Sequence, residues 1–471
     1  GIKTCMYAGY PDLYMQFSKK NEFVFQPDWY RGVEYPKEQE RGYASNEDLY
    51  VPGYFEMNIK KGESIIFAAS TSETKTGGLK KLFDKEVDLR APRDNFFHCL
   101  VNAAHQFHYR TKKDERYIIA GYPWFKCRAR DTFISLPGLT LSIEEQDYFE
   151  LVMKTAERDL RNFMEGKPLT GKITEMEQPD VPLWAIWAIQ QYGKEAGKEQ
   201  CQKMYGKLLQ DIVDYIIAQK HPNLTLEENG LLHTEGRDKA VTWMNSTANG
   251  KPVVPRTGYI VEFNALWYNA LRFAASMAQD EKRVKMLEER AELAKTSFVD
   301  VFLNEYGYLF DYVDGNMMDW SVRPNMIFAV ALDYSPLSQP QKKSVLDVCT
   351  RELLTPKGLR SLSPKSGGYN PIYVGPQVQR DYAYHQGTAW PWLGGFYMEA
   401  CLKLYKRTRL SFIERQMVGY EDEMSYHCLG TISELFDGNP PFSGRGATSF
   451  AMNVGEILRT LELLEKYQYQ F

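Results

Sequence analysis

The segment 119–139 combines aromatic and charged residues in a pattern that could bind a sugar. Arg130 and Asp131, expected to form an ion pair, are flanked by Trp124 and Phe133 and directly precede a predicted helix. An aromatic ring supplies an apolar face, whereas Arg and Asp supply hydrogen bonds and cannot be left unpaired when buried. A sugar ring needs both kinds of contact. The alternative interpretation is a buried ion pair that only anchors the start of the helix.

Further carboxylates lie beside other predicted helices. Asp180 directly precedes an apolar helix, so it is either a ligand-binding residue or an N-cap. The loop 233–262 carries Glu235, Asp238 and Glu262 together with two arginines and Trp243. Glu262 opens the helix that follows, and its alternative role is to complement the helix dipole.

Three more loops place polar side chains beside Trp, Phe or Pro at a helix boundary. They are residues 320–325, 382–392 and 432–440. One such loop would not indicate a binding site. Several loops that recur along a helical scaffold are expected to converge at one opening of the domain, where they would form a site. A carboxylate pair in an aromatic cleft is the arrangement that glycoside hydrolysis requires.

From about residue 90 onwards, apolar residues recur with the spacing of helices. The predicted helices are 143–165, 181–192, 194–219, 262–278, 280–301, 324–332, 339–354, 387–405 and 449–467. Helices joined alternately by short and long loops indicate a mainly α fold, an α/α toroid whose long loops lie at one end of the ring. No short repeat period is visible, so a TPR- or HEAT-type solenoid is not expected.

The first 75 residues differ from the rest because short β-rich runs alternate with Gly, Pro and charged turns. Too few strands are present for a full sandwich, so we expect residues 1–75 to be the end of an incomplete β-sandwich-like domain. Residues 76–89 belong to a polar, lysine-rich stretch and are predicted to be a linker. The helical domain is predicted to span residues 90–471.

Composition narrows the class of protein. The chain has 471 residues and a net charge of −4, which gives no electrostatic case for binding nucleic acid or an anionic membrane surface. Its seven cysteines form no C-x-x-C pair, so we expect reduced core thiols in a cytoplasmic protein. His98, His105 and His108 have helical spacing, but no Cys or carboxylate cluster accompanies them, so a helix face is favoured over a metal site. Motifs of nucleotide-binding, serine-hydrolase and zinc-peptidase sites are not found in the sequence.

Several motifs together resemble one known family. They are residues 119–139, the block 242–271 with Thr-Trp-Met and Val-Glu-x-Asn-Ala-Leu-Trp, Arg323-Pro324-Asn325, His385-Gln386-Gly387-Thr388 with Trp390-Pro391-Trp392, and Glu434-x-Phe436-Asp437-Gly438. In this order they resemble the glucosidase part of glycogen debranching enzymes. The resemblance implies an (α/α)6 barrel, six-hairpin glycosidase-like, with an inverting amylo-α-1,6-glucosidase activity. It implies no metal and no cofactor, and a branched α-glucan as the binding partner; it leaves the oligomeric state open.

The resemblance also implies roles for individual residues. Arg130 and Asp131 would grip the terminal glucose, and Glu434 would be the general base that activates water. The family position after Trp-Met is typically Asp and is the candidate general acid, but here it is Asn245. An amide cannot donate a proton in this role at neutral pH. The expected substrate-binding residues are Trp124, Arg130, Asp131, Asp180, Trp243, Asn245, Arg256, Arg323, Asn325, His385, Gln386, Trp390 and Trp392.

Asn245 leaves two hypotheses open. Either another carboxylate of the same loop is the acid (Asp238, Glu235 or Glu262, with Glu262 favoured and Asp238 next), or the protein is an impaired or non-catalytic glucan-binding relative. A glycosidase of the same architecture with a different sugar is a third option. Residues 126–129 and 450–453 also depart from the family pattern, which predicts a shifted preference for linkage or chain length. No transferase-type catalytic region is visible, so only the hydrolytic half of debranching is expected.

Overall fold

A computed structural model describes residues 1–112 and 114–469 of the chain. The chain folds into two compact units. The first unit contains Gly1–Arg93 together with Gly375–Gln377, and the second contains Asp94–Val374 and continues from Val378.

The first unit is built from antiparallel strands. Ile2–Thr4, Leu13–Phe17 and Phe67–Ser70 form a three-stranded sheet with Leu13–Phe17 in the centre. Glu22–Glu34 pairs with Asn46–Glu56 as a long two-stranded ribbon. A short helix, Pro36–Glu40, lies between the ribbon strands, and Leu79–Asp88 forms a further helix. Residues 79–88, predicted as part of an irregular linker, are therefore helical, because apolar positions such as Leu79, Leu82 and Phe83 recur at helical spacing.

The second unit is a double ring of twelve helical segments. The six inner helices are Ala129–Thr140, Val181–Ala196, Val261–Met277, Phe328–Ala331 with the preceding turn Pro324–Ile327, Pro391–Tyr405 and Ala451–Tyr469. Each inner helix contacts the next, and the last contacts the first, so the ring is closed. The six outer helices are Phe96–Phe107, Gln146–Met164, Lys198–Ile217, Glu281–Phe302, Gln339–Glu352 and Leu410–Glu423. This is the predicted (α/α)6 toroid.

The sequence of each helix explains its place in the ring. All twelve residues of Ala129–Thr140 are buried, whereas Gln146–Met164 and the other outer helices bury only one face. A helix that is apolar all round belongs in the interior, and an amphipathic helix belongs at the surface. The first and last inner helices approach closely where Gly138 meets Gly455, since a Cβ at Gly138 would overlap the Gly455 carbonyl. Two glycines therefore permit the contact that closes the ring.

Short strands in the long loops bring distant segments together. One antiparallel sheet contains Leu354–Thr355, Gly358–Arg360, Ala389–Trp390, Leu435–Phe436 and Gly444–Arg445, in that order. A second sheet contains Thr225–Leu226, Leu232–Thr234, Gly258–Ile260, Tyr312–Asp314 and Met317–Met318. Smaller pairs join Gly121–Tyr122 to Ser449–Phe450, Thr247–Ala248 to Lys251–Pro252, and His108–Arg110 to Arg116–Ile118. A further short helix is Gln377–Ala383. These sheets hold the motif-bearing loops in fixed positions.

The predicted helices are all present, with shifted ends. The segment predicted from residue 387 begins at Pro391, because residues 389–390 pair as a strand first. The helices Phe96–Phe107 and Leu410–Glu423 were not predicted individually. Five of the seven cysteines are buried and none forms a disulfide, whereas Cys5 is exposed. Within residues 1–112 and 114–469, no helix has the length and apolar character required to cross a bilayer.

Candidate active site

A small pocket in the second unit gathers side chains from four loop segments. It is lined by Arg128, Arg130, Asp131, Trp243, Asn245, Tyr384, His385, Trp390, Phe450 and Met452. The start of the first inner helix provides the charged residues, and the loops 243–245 and 384–390 provide most of the aromatic and amide groups. Six of the residues predicted to bind substrate are therefore brought together here.

Asp131 presents a carboxylate that no other side chain pairs with directly. The side chain is buried, and apart from its own backbone N–H no described residue donates a hydrogen bond to its oxygens or lies within ion-pairing distance of them. Burial raises the pKa of Asp131 to about 6, although Arg128 and Arg130 oppose the shift. A buried carboxylate without a paired cation costs free energy in the ligand-free protein. This group is therefore available to accept hydrogen bonds from a ligand.

Arg130 pairs with Asp180 and not with its neighbour Asp131. Its Nε and Nη2 donate to the two oxygens of Asp180 at 2.6 and 2.9 Å, and both side chains are buried. Asp180 Oδ2 also accepts from Trp184 Nε1 at 3.2 Å. The predicted Arg130–Asp131 ion pair is wrong, because a bidentate pair to Asp180 satisfies the guanidinium more completely. Asp180 occupies the N-cap position of Val181–Ala196, as the alternative predicted, but its side chain makes no capping hydrogen bond.

Glu434 lies next to the pocket, behind Tyr384. Its Oε1 accepts from the Tyr384 hydroxyl, and its Oε2 accepts from the Ala447 backbone N–H at 2.7 Å. Burial raises the pKa of Glu434 to about 8, while the Ala447 hydrogen bond and Arg128 lower it and Asp131 raises it further. Arg128 and Asp131 both line the pocket, so the charges of the pocket wall affect the pKa of Glu434. The carboxyl group is held in a fixed orientation, next to the pocket, without a salt bridge among the described residues.

Asn245 faces the same pocket. The residue is half-buried, and no described residue hydrogen-bonds its side chain. Its neighbours Met244 and Ser246 are buried and fix the backbone on both sides. The side chain at this position can donate or accept hydrogen bonds, but it does not titrate.

A buried polar chain holds Trp243 in the wall of the pocket. Trp243 Nε1 donates to Asn325 Oδ1 at 2.6 Å, and Asn325 Nδ2 donates to Asp311 Oδ1 at 2.7 Å. Asp311 in turn accepts from Arg256 Nε at 2.6 Å. Arg256 also donates to both oxygens of Glu262, with Nη2–Oε2 at 2.6 Å.

This geometry corrects the expectation for Glu262. Both of its oxygens are occupied by Arg256, its side chain is buried, and it is not among the residues that line the pocket. Burial raises the pKa of Glu262 and the Arg256 guanidinium opposes this shift, and the bidentate pair leaves neither oxygen free to face the pocket. Glu262 is therefore not placed to donate a proton to a glycosidic oxygen. Arg256 and Asn325, both predicted to bind substrate, act on the pocket only through their neighbours.

His385 is a buried neutral imidazole. Its Nδ1 accepts from the Ser246 N–H at 3.4 Å, and its ring stacks on Trp390 with centroids 5.4 Å apart. Burial lowers the pKa of His385 well below its ordinary value, and the nearby arginines act in the same direction. Its Nε2 is buried without a hydrogen-bond partner among the described residues. Arg323 holds this loop by donating to the His385 carbonyl at 2.9 Å and to Gln386 Oε1 at 2.7 Å.

Three further predicted residues also lie outside the pocket. Trp392 is fully buried and packs edge-on against Trp243 at 5.3 Å. Trp124 is 48 % exposed and is not a lining residue. Asp238 is exposed and lines a separate groove of about 380 Å³ together with Glu177 and Glu235. In loop 233–262, Glu262 belongs to a buried ion pair, whereas Glu235 and Asp238 of this groove form no ion pair with any residue that the structure describes.

Sequence reasoning missed several residues that the structure places at or near the site. Tyr384 lies in a segment already singled out, but no pattern showed that it would contact Glu434. Asp311 connects Arg256 to Asn325, and no motif surrounds it. The candidate metal histidines instead form hydrogen bonds to carboxylates, with His98 at 2.6 Å from Asp94 and His105 at 2.6 Å from Glu145. Within the described residues, no cluster of three potential metal ligands is found.

Residues 101–459 match the family model of amylo-alpha-1,6-glucosidase. The chain belongs to this family. Residues 1–66 match the model described as glycogen debranching enzyme N terminal. The glycogen debranching enzyme of Saccharomyces cerevisiae is 23% identical, with 60% of this chain and 25% of that protein aligned. The chain therefore spans about a quarter of the length of that relative. The protein is a glycoside hydrolase by family.

Solved structures share the fold. A bacterial glucoamylase complexed with acarbose superposes with a TM-score of 0.54 at 13% identity, covering 97% of this chain and 72% of that one. A GH63 mannosylglycerate hydrolase from Thermus thermophilus, in complex with glucose, gives a TM-score of 0.53 at 11% identity, covering 78% of this chain and 99% of that one. These similarities confirm the (α/α)6 glycosidase fold.

Proposed function

We propose that this protein removes single α-1,6-linked glucose units from branched α-glucans by an inverting mechanism, with Glu434 as the general base. The observation that carries the proposal is a buried carboxyl group, next to an aromatic pocket, with a raised pKa and no cation paired to it among the described residues. Family membership and the sugar complexes of structures with the same fold support it.

The pocket has the groups that a terminal glucose requires. Trp243 and Trp390 offer apolar ring surface, and the free carboxylate of Asp131 accepts hydrogen bonds from hydroxyls. The Asp180 ion pair uses Nε and Nη2 of Arg130 and leaves Nη1 as a donor toward the ligand. Because Nδ1 of the neutral His385 accepts from the Ser246 N–H, its proton is on Nε2, which is a further donor.

In the proposed reaction, Glu434 removes a proton from a water molecule as the water oxygen attacks C1 of the glucose. The bond between C1 and the O6 oxygen of the branch point breaks, and that oxygen takes up a proton. Inverting enzymes place the acid and the base roughly 6.5–9.5 Å apart, which leaves room for the water. Because Glu262 is fully paired, Asp238 and Glu235 of the same loop are the remaining predicted candidates for the acid, with Asp238 favoured, and both line the separate groove.

The test is glucose release from an oligosaccharide with one α-1,6-glucosyl branch, compared with a linear maltooligosaccharide of equal length. We expect release from the branched substrate only, with loss of activity in Glu434→Gln. Release from the linear substrate alone would contradict the proposed linkage. Retention of full activity in Glu434→Gln would contradict the proposed base.

One observation favours a second candidate function. Asn245 occupies the position at which the family typically carries the acid, and its amide lines the pocket without a hydrogen bond to any described residue. The second candidate is a glucan-binding relative that keeps the sugar pocket but turns over little or no substrate.

Asn245→Asp distinguishes the two candidates. If the protein lacks its acid because position 245 is Asn, the variant gains activity on the α-1,6 substrate by about 10²- to 10⁴-fold, the usual contribution of a positioned acid. If Asp238 is the acid, the variant shows no such gain, and Asp238→Asn abolishes the activity of the unmodified protein. Asn249→Asp, on an exposed residue of the same loop, is the matched control for the added charge.

A further inference from the structure

A second groove with aromatic and polar walls lies in the helical unit, apart from the pocket. It has a volume of about 260 Å³, and its aromatic wall contains Tyr306, Tyr308 and Trp320. Trp320 is 45 % exposed and Tyr306 is 68 % exposed. Large aromatic rings exposed in a concave surface are typical of ligand contacts, because their burial by a ligand is favourable.

The indole of Trp320 is held rigidly. Phe310 packs edge-on against it, with ring centroids 4.6 Å apart and an interplanar angle of 85°. The Tyr308 hydroxyl donates to the Trp320 carbonyl at 3.0 Å, which fixes the backbone of the same residue. A ring that is already fixed loses little conformational entropy when a ligand stacks on it.

The other wall of the groove is polar and nearly neutral. Glu352 accepts from Ser363 Oγ at 3.0 Å and from Lys365 Nζ at 2.7 Å, and Arg351 Nε lies 3.2 Å from the same carboxylate. Lys365 and Arg351 remain largely exposed, so they keep donors free for a ligand. One carboxylate and two cations leave a net charge of only +1. Hydrogen-bonding groups with little net charge suit an uncharged polyhydroxylated ligand better than a charged one.

The groove is connected to the pocket through two loops. The Ser363 N–H donates to the Val322 carbonyl at 3.0 Å, which joins the polar wall to the loop of Trp320. The next residue, Arg323, donates to the Ser361 carbonyl at 3.2 Å and to the His385 carbonyl at 2.9 Å. His385 lines the pocket. The same short stretch of chain therefore supports both sites.

We propose that this groove binds a segment of an α-glucan chain, so that a branched glucan engages the protein at two places. The identity of the ligand rests on the proposed function, since a substrate with one glucose in the pocket still has a main chain outside it. Trp320 stacks on a glucosyl ring, while Lys365 and Arg351 hydrogen-bond to hydroxyls.

The first test is binding of glycogen, measured by affinity electrophoresis of the folded protein. Trp320→Ala is expected to weaken binding about tenfold, and Trp320→Phe, which keeps a ring, is expected to weaken it less. The matched control is Trp29→Ala, because Trp29 is exposed to a similar degree, 48 %, and lies in the amino-terminal unit. Equal binding by Trp320→Ala and the unmodified protein would overturn the proposal, as would equal weakening by Trp29→Ala. The proposal would also be overturned if the Trp320→Ala variant bound glycogen normally but lost binding to another protein.

The second test separates this proposal from the proposed function. For a protein that hydrolyses branched glucans, Trp320→Ala should raise KM for the polymer without changing kcat/KM for α-glucosyl fluoride, which occupies only the pocket. If the protein hydrolyses neither substrate but Trp320→Ala still weakens glycogen binding, the proposed function fails and the groove assignment stands. If hydrolysis is normal and KM for the polymer is unchanged in Trp320→Ala, the groove assignment fails and the proposed function stands.

Discussion

Two groups of buried carboxylates occur in the same helical ring, and they differ in their partners. Glu399 and Glu456 bind Arg459 at 2.6 and 2.7 Å, and Glu399 also binds Lys403 at 2.8 Å. Asp131 and Glu434 are buried to a similar extent, yet among the described residues no Lys, Arg or His nitrogen lies within ion-pairing distance of either. Both groups come from inner helices or from the loops that adjoin them.

The difference is clearest between Glu399 and Glu434, since burial raises the pKa of Glu456 despite its pair with Arg459. Burial opposes ionisation of Glu399, but Arg459, Lys403 and Lys194 outweigh it and hold its pKa below the ordinary value. For Glu434, burial dominates and the pKa rises to about 8. Buried charge without a paired cation is costly, so a protein that folds with it has a reason outside stability. The presence or absence of a paired cation among the described residues, rather than the degree of burial, therefore distinguishes the two groups.

The largest expected effect is the loss of catalysis in Glu434→Gln. We expect hydrolysis of α-glucosyl fluoride to fall by about 10²- to 10⁴-fold, because the water loses its general base. Urea unfolding at pH 7 should show no loss of stability. Because the pKa of Glu434 is higher in the folded protein, this residue lowers the free energy of unfolding as pH rises from its unfolded pKa toward about 8. Replacement by Gln removes this destabilisation. A variant that unfolds more easily and keeps its activity would place Glu434 among the structural carboxylates.

The converse variant is Arg459→Met. It leaves Glu399 and Glu456 buried without their shared cation, so we expect the free energy of unfolding to fall by about 3–5 kcal/mol. The KM of the protein that remains folded should be unchanged, since Arg459 does not line the pocket. Unfolding followed by circular dichroism, with KM measured at a temperature well below the transition, checks both parts. A change in KM for fully folded Arg459→Met would contradict the distinction between the paired carboxylates and those at the pocket.

A smaller effect is expected on the pH profile. Because the folded pKa of Glu434 is raised from 4.5 to about 8, kcat/KM for α-glucosyl fluoride should increase with pH across that interval. Arg128 favours the ionised form of Glu434, so Arg128→Gln should move this rise in kcat/KM, the acidic limb of the pH profile, to higher pH. Lys112→Gln, which removes an exposed cation that does not line the pocket, is the control. Movement to lower pH in Arg128→Gln would show that another group controls the limb.

The sequence allowed the helical ring and the convergence of loops to be predicted, because both follow from apolar spacing and from local residue types. It did not allow the pairing within the site to be predicted. Arg130 pairs with Asp180, 50 residues away in the chain, although Asp131 is adjacent. Glu262 was favoured as an acid from its position in a motif, but its partner Arg256 is itself fixed by Asp311, which belongs to no motif. Partners that meet only in the folded chain leave no local pattern in the sequence.

The most direct test of the central claim is ¹H NMR of α-glucosyl fluoride during hydrolysis by the unmodified protein. Fluoride leaves without help from an acid, so the experiment tests Glu434 and the pocket independently of Asn245. We predict that β-glucose appears first and α-glucose forms only by slow mutarotation, as expected for a single displacement by water. Initial formation of α-glucose, or a rate no higher than that of Glu434→Gln, would contradict the assignment of Glu434 as the base of an inverting glycosidase.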